Sequence, residues 1–169
     1  MTTQPTIRPA DVVVALAVVD EPGQTLAQLS ERLRLSVGAV HGAARRLGDA
    51  LLLMPGTRLP NKPNLKEFLL FGVQYAFYPV LGPDARGVPT AYSGPVMRDA
   101  FSAGDEIVWP SSKGKVRGRT LVPLYPGAPL LQDGYPTVYA ALTVIDSLRI
   151  GQLREREQAR DWLATFVGG

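Results

Sequence analysis

The chain of 169 residues has no cysteine and one histidine, His41. The first absence excludes disulfides and thiolate metal sites and fits a reducing compartment. The second leaves one imidazole for any acid–base role, so a Ser-His-Asp site would have to be built on His41. Neither sign of charge is in large excess. Eighteen lysines and arginines against 15 aspartates and glutamates give +3 at pH 7, so where the cations stand matters more than how many there are. No apolar run reaches the ~18 residues that would span a membrane. The opening Met1-Thr2-Thr3-Gln4-Pro5 lacks the basic-then-apolar layout of a secretory signal, and we expect a cytoplasmic protein with no membrane partner. Internal repeats and low-complexity tracts are also missing.

Catalytic spacings are equally scarce. The stretch Ser112-Lys113-Gly114-Lys115 lacks the spacing of a P-loop and the Ser/Thr that follows its lysine. Asp105 and Glu106 are adjacent, so on a strand they point to opposite faces and make a poor acid–base pair. We expect no enzyme, no cofactor and no metal site.

What is present is a chain with 46% hydrophobic and 20% charged residues, enough to bury a core. Its length suits one domain or two small ones. Pro9 suits a helix start, and Val12, Leu16 and Val19 recur at helical spacing, with Val13 and Ala17 beside them, until Glu21-Pro22-Gly23 ends the run. Thr25 and Gln28 have capping-box spacing, with Leu26, Leu29 and Leu33 as the buried stripe. Ser36 offers the next N-cap, for a third helix over about 37–47. Val37, Val40, Ala44 and Leu47 are read as its inner face, and Gly38, Ala39, His41, Gly42, Arg45 and Arg46 as its outer face. The apolar 50–54, the Pro55-Gly56 turn and 57–59 read as two short strands of a small wing.

The segment 25–47 resembles the DNA-binding helices of MarR-type and related bacterial regulators. The likeness rests on Ala27, Leu29, Leu33, Leu35, Val40 and the closing Arg45-Arg46-Leu47, and covers about the first sixty residues. It implies a winged helix-turn-helix over residues 7–62, with the third helix entering the major groove of double-stranded DNA. On that reading Thr25, Ser36, Gly38, Ala39, His41, Gly42, Arg45, Arg46, Arg58 and Lys62 form the DNA-binding set. Arg45 and Arg46 are the phosphate neutralisers, and Arg58 reaches backbone or minor groove from the wing. The outer face has no Asn, Gln or early Arg for bidentate base contacts.

Residues 63–169 read as a small mixed α+β domain, so the fold class is α+β. Asn64 and Glu67 suggest a capping box opening a helix to about 75. Residues 76–134, rich in proline and glycine, read as irregular β with long loops, containing extended pieces at 106–109 and 120–122. A helix from Pro136 buries Val138, Ala141, Leu142 and Ile145, Gly151 breaks it, and a last helix over about 152–167 buries Ala159, Trp162, Leu163 and Phe166. Lys113, Lys115, Arg117 and Arg119 alternate, so a strand there sets all four on one face as a phosphate or partner contact. Arg149, Arg154, Glu155, Arg156 and Glu157 read as a solvated charged face, with Glu157 pairing to Arg154 and Arg160. Tyr75, Phe77, Tyr78, Tyr92, Trp109 and Tyr125 read as core and loop packing.

This second segment also resembles uncharacterised bacterial proteins encoded beside nucleotidyltransferase-like toxins, through 71–77, 87–92, 116–126 and 145–157. That likeness implies an antitoxin-like partner of a toxin-like protein. Two functions therefore stand: a homodimeric DNA-binding transcriptional regulator, and an antitoxin-like interaction module that also regulates its own operon.

Overall fold

In the computed structural model, which describes residues 2–101 and 104–168, the fold is α+β: three N-terminal helices, a three-stranded mixed sheet and C-terminal helices. The first helix, α1 (Pro9–Asp20), starts where Pro9 needs no N–H partner. The Asp11 carboxylate accepts from the Arg8 amide at 2.9 Å. The expected stripe of α1 widens into complete burial, since every residue from Asp11 through Val18 is buried. A helix apolar all round belongs at the centre of a fold, and α1 packs on α3 (Val37–Asp49) and on α7 (Pro136–Ile150).

The second helix, α2 (Leu26–Leu33), opens with the capping box expected of it. Thr25 N–H donates to Gln28 Oε1 at 2.9 Å, and Gln28 N–H to Thr25 Oγ1 at 3.1 Å. It stops at Arg34, which takes a left-handed conformation at φ 56°. Ser36 then caps α3, its hydroxyl oxygen accepting from Ala39 N–H at 3.0 Å. The buried spoke of α3 is Val40, Ala43 and Leu47, not the Val37 and Ala44 expected from spacing. Ala43 completes the line between Val40 and Leu47, while Val37 in the first turn is 49% exposed. The two strands expected after α3 reduce to a single bridge, Leu53 to Pro60, closed by Met54 N–H to Leu59 C=O and by the Thr57 hydroxyl on Met54 C=O.

A bent helical stretch follows: α4 (Lys62–Glu67), a wide π turn (Phe68–Gly72) and α5 (Val73–Ala76). The Asn64–Glu67 capping box does not form. The helix starts three residues earlier, with Asn61 at the cap position and Pro63 in its first turn, and Asn64 instead donates its amide to Leu51 C=O at 3.0 Å.

The sheet comprises β1 (Leu81–Pro89), β2 (Ile107–Pro110) and β3 (Val116–Leu121). Each strand pairs with both others, β1 antiparallel to β2 and β3, and β2 parallel to β3, which closes a very small barrel. By its sequence, Leu-Gly-Pro-Asp-Ala-Arg-Gly-Val-Pro, β1 reads as loop, being made of turn formers. Closure explains the glycines. A Cβ on Gly114 would lie 2.2 Å from the Gly87 backbone, and one on Gly118 would lie 2.4 Å from the Glu106 carbonyl oxygen. Strands this close exclude any side chain.

After the short α6 (Leu131–Gly134), α7 runs through the core, buried from Val138 to Arg149 except at Ala140, and α8 (Leu153–Gly168) packs on it. Ala159, Leu163 and Val167 are the buried residues of α8. Trp162 and Phe166 lie half-buried and stacked at 5.2 Å. Arg149, expected on a solvated face, is in the core. Asp146 binds it through Nη1 at 2.7 Å and also accepts from Trp109 Nε1 and Thr90 Oγ1, both at 2.7 Å. Arg149 Nε donates to Phe77 C=O, so one satisfied buried network fixes the sheet to α7. Glu157 forms no ion pair among the described residues. Arg160 instead donates to Leu70 C=O and lies over the Phe71 ring at 5.2 Å.

One continuous core draws on both segments of the chain, from Val12 and Leu47 to Leu142 and Leu163. Tyr125 donates its hydroxyl to Leu33 C=O, and the Arg32 guanidinium sits 3.5 Å above the Tyr135 ring. The N-terminal helices are thereby tied to the chain that follows the sheet. No helix among the described residues is long and apolar enough to cross a membrane.

Candidate nucleic-acid interface

The candidate surface is the outer side of α3 and the turn beside it. Ser36, Gly38, Ala39, His41 and Arg45 are exposed, Gly42 is half-buried, and nothing stands within 4 Å of a Cβ built on Gly38. His41, Ala44, Arg45 and Gly48 recur at helical spacing along one wall of a cleft whose other wall is Pro55, Gly56, Thr57 and Arg58. Leu26 also lines it, and Asp49 contributes a carboxylate.

Within this cleft the cations differ in freedom. Arg45 forms no ion pair or hydrogen bond among the described residues. Arg58 is half-buried, and its Nε donates to Gln24 C=O at 2.8 Å. That single bond aims the guanidinium while leaving its terminal nitrogens for another acceptor. The hydroxyl oxygens of Ser36 and Thr25 are used as helix caps, but each O–H remains a donor. Both sit at helix N-termini, where the backbone N–H groups favour negative charge.

Arg46 stands elsewhere. Expected beside Arg45 as a phosphate contact, it instead donates from Nε and Nη2, each at 2.8 Å, to the two oxygens of Asp11, a carboxylate with no exposure. The hydrogen bonds to Asp11 raise the Arg46 pKa above its already high ordinary value. Arg46 lines a separate hollow under the N-terminal tail, with Gln4, Pro5 and Ile7, and also roofs Gly42, whose Cβ position is 3.2 Å from Nη1. The sequence does carry a cue: a lone aspartate inside a valine-rich helix needs a cation. Lys62 is exposed at the first position of α4 and does not line the cleft.

No family model, curated protein or solved structure matches the chain. The surface is therefore read from its own chemistry. It combines an open helix face of small residues, one imidazole, two guanidiniums and two hydroxyl donors.

The second group, Lys113, Lys115, Arg117 and Arg119, is exposed throughout. Arg117 and Arg119 lie on β3, Lys115 immediately before it, and Lys113 in the turn 111–114. The structure adds Arg86, which sequence spacing misses because β1 does not read as a strand. Its register partner is Arg117.

Proposed function

We propose that the chain is a DNA-binding transcriptional regulator whose winged helix-turn-helix consists of α1, α2, α3 and the bridged turn over 54–59. The observation that carries this reading is the uncommitted outer face of α3, where Arg45 and His41 face the turn that carries Arg58. A helix inserted into the major groove needs such a face free of internal duties, with short side chains near its N-terminus. Arg45 and Arg58 contact phosphates on either side of the groove, Ser36 and Thr25 position the helix ends on the backbone, and His41 is nearest the base edges. The protein acts as a homodimer, because two half-sites call for two-fold symmetry.

The test is binding to a duplex from upstream of its own gene, followed by anisotropy over a range of salt. Arg45→Ala with Arg58→Ala should weaken binding and lower the slope of log affinity on log salt by about 2, roughly 0.9 for each phosphate no longer neutralised. An unchanged slope overturns the assignment.

A second reading, an antitoxin-like module that binds a partner protein, is favoured by exposed apolar side chains outside the winged unit. Phe71 is 58% exposed, and Tyr75 and Tyr78 are each 73% exposed. The two tyrosines, expected in packing roles, are exposed instead, and large aromatic side chains are enriched at protein interfaces. Co-purification with the product of the neighbouring gene, abolished by Tyr75→Asp, supports this reading. Intact solitary behaviour removes it.

A further inference from the structure

We propose that the outer face of the β1–β3 pair is a second nucleic-acid contact, a ladder of cations that binds phosphate backbone independently of α3. Strand geometry makes the ladder. Arg86 and Arg117 are direct register partners on neighbouring strands, so both project from the same face. Arg119 lies two residues on, and Lys115 two residues before, hence on that face again. All four are exposed, and Lys113 extends the row into the turn. Only Asp84, the register partner of Arg119, is acidic on this pair of strands, and it forms no ion pair among the described residues.

Like charges set side by side across a sheet are destabilising, and none of these five forms an ion pair among the described residues. An external polyanion relieves that repulsion. The backbone beneath is stiff, since Gly114 and Gly118 seat it against Gly87 and Glu106 with no room for a Cβ. The cations are therefore presented at a fixed spacing of about 6.6 Å, two residues of strand, comparable to the step between successive phosphates of one nucleic-acid strand. Three of the five are arginines, whose planar fork suits phosphate oxygens. The chemistry favours nucleic acid over an acidic protein. A protein interface has an apolar centre depleted of charge, whereas the exposed register partners at the centre of this face are both arginines, Arg86 and Arg117.

The full chain is titrated by anisotropy with a short random-sequence duplex, with an oligothymidylate single strand and with polyglutamate, across a range of salt. Replacing Arg86, Arg117 and Arg119 together by Ala should lower the salt slope by about 2 to 3 on the duplex or about 2 on the single strand, with a thermal midpoint equal to or above the parent's as the repulsion between them is removed. The same three changed to Lys should keep the slope. Which probe responds more tells duplex from single strand. The experiment is repeated in a His41→Ala, Arg45→Ala background. A ladder effect that persists there stands even if the α3 reading fails. Loss of binding from the α3 changes alone, with no ladder effect, overturns the ladder and leaves the α3 reading intact. Arginine-dependent binding of polyglutamate without binding of either nucleic acid also overturns it.

Discussion

Arg46 and Arg45 are neighbours in sequence, and their substitution should separate stability from binding. Asp11 has no exposure and accepts three hydrogen bonds, from Arg8 N–H and from Nε and Nη2 of Arg46. Arg46→Ala removes two of the three and leaves the carboxylate buried beside one amide. Breaking a buried ion pair by deleting one partner costs about 3–5 kcal/mol. The Arg46 side chain is 21% exposed, so water softens the loss and the lower end, about 3 kcal/mol, applies. For a chain of this length each kcal/mol shifts the midpoint by about 2–4 °C, a fall of about 6–12 °C. Arg45→Ala, at an exposed position unpaired among the described residues, should stay within about 0.5 kcal/mol of the parent. Replacing both partners by apolar residues, Asp11→Leu with Arg46→Met, should recover all but about 1 kcal/mol, the remainder being the cap on the α1 start that leucine cannot supply. Thermal and urea unfolding followed by circular dichroism measure all four proteins. An Arg46→Ala protein that melts with the parent would mean that the Asp11 pair does not stabilise the fold and would return Arg46 to the pool of free cations.

Further outcomes follow from the same geometry. Gly38 has open space around its missing Cβ, so Gly38→Ala should stabilise α3 by up to about 1 kcal/mol. Gly38→Leu should also fold, yet weaken duplex binding by about tenfold, roughly 1.4 kcal/mol; unchanged affinity would mean that nothing approaches this face. Asp146→Ala strands the buried Arg149 and should cost about 3–5 kcal/mol in chemical unfolding. Burial holds the Asp146 carboxyl above its ordinary 3.8, against the opposing pull of Arg149, Thr90 and Trp109. A carboxyl that titrates higher when folded favours the fold while protonated and loses that contribution as pH rises through the folded value. The stability of the wild type minus that of Asp146→Asn should therefore shrink as pH climbs from 3.8 through the raised range, and a flat difference would contradict this.

The elements legible in the sequence are those with strong local signals. The Thr25–Gln28 capping box, the Ser36 cap, Pro9 and Pro136 at helix starts and the Gly151 break each act within a few residues, and each is where the spacing places it. What escapes depends on distant partners. The strand β1 is built from turn formers and exists because β2 and β3 pair with it. Without β1, Arg86 has no reason to join the basic row. Arg149 looks solvated beside Arg154 and Glu155, but Trp109 and Thr90, far away in sequence, complete its buried network with Asp146. Arg46 is misplaced for the same reason, its partner Asp11 lying 35 residues earlier. Helical periodicity gives α1 a stripe, whereas the surrounding helices bury it on every side. Of the α3 surface, exposure and spacing are readable, but the division of labour between Arg45 and Arg46 is not.

The outer face of α3 is the surface proposed to meet a DNA duplex. Amide hydrogen exchange of the full chain, with and without saturating duplex from upstream of its gene, tests it directly. Insertion of α3 into the groove should give new protection concentrated in residues 36–45 and 56–58. Protection absent there, with the duplex demonstrably bound through some other surface, would contradict it.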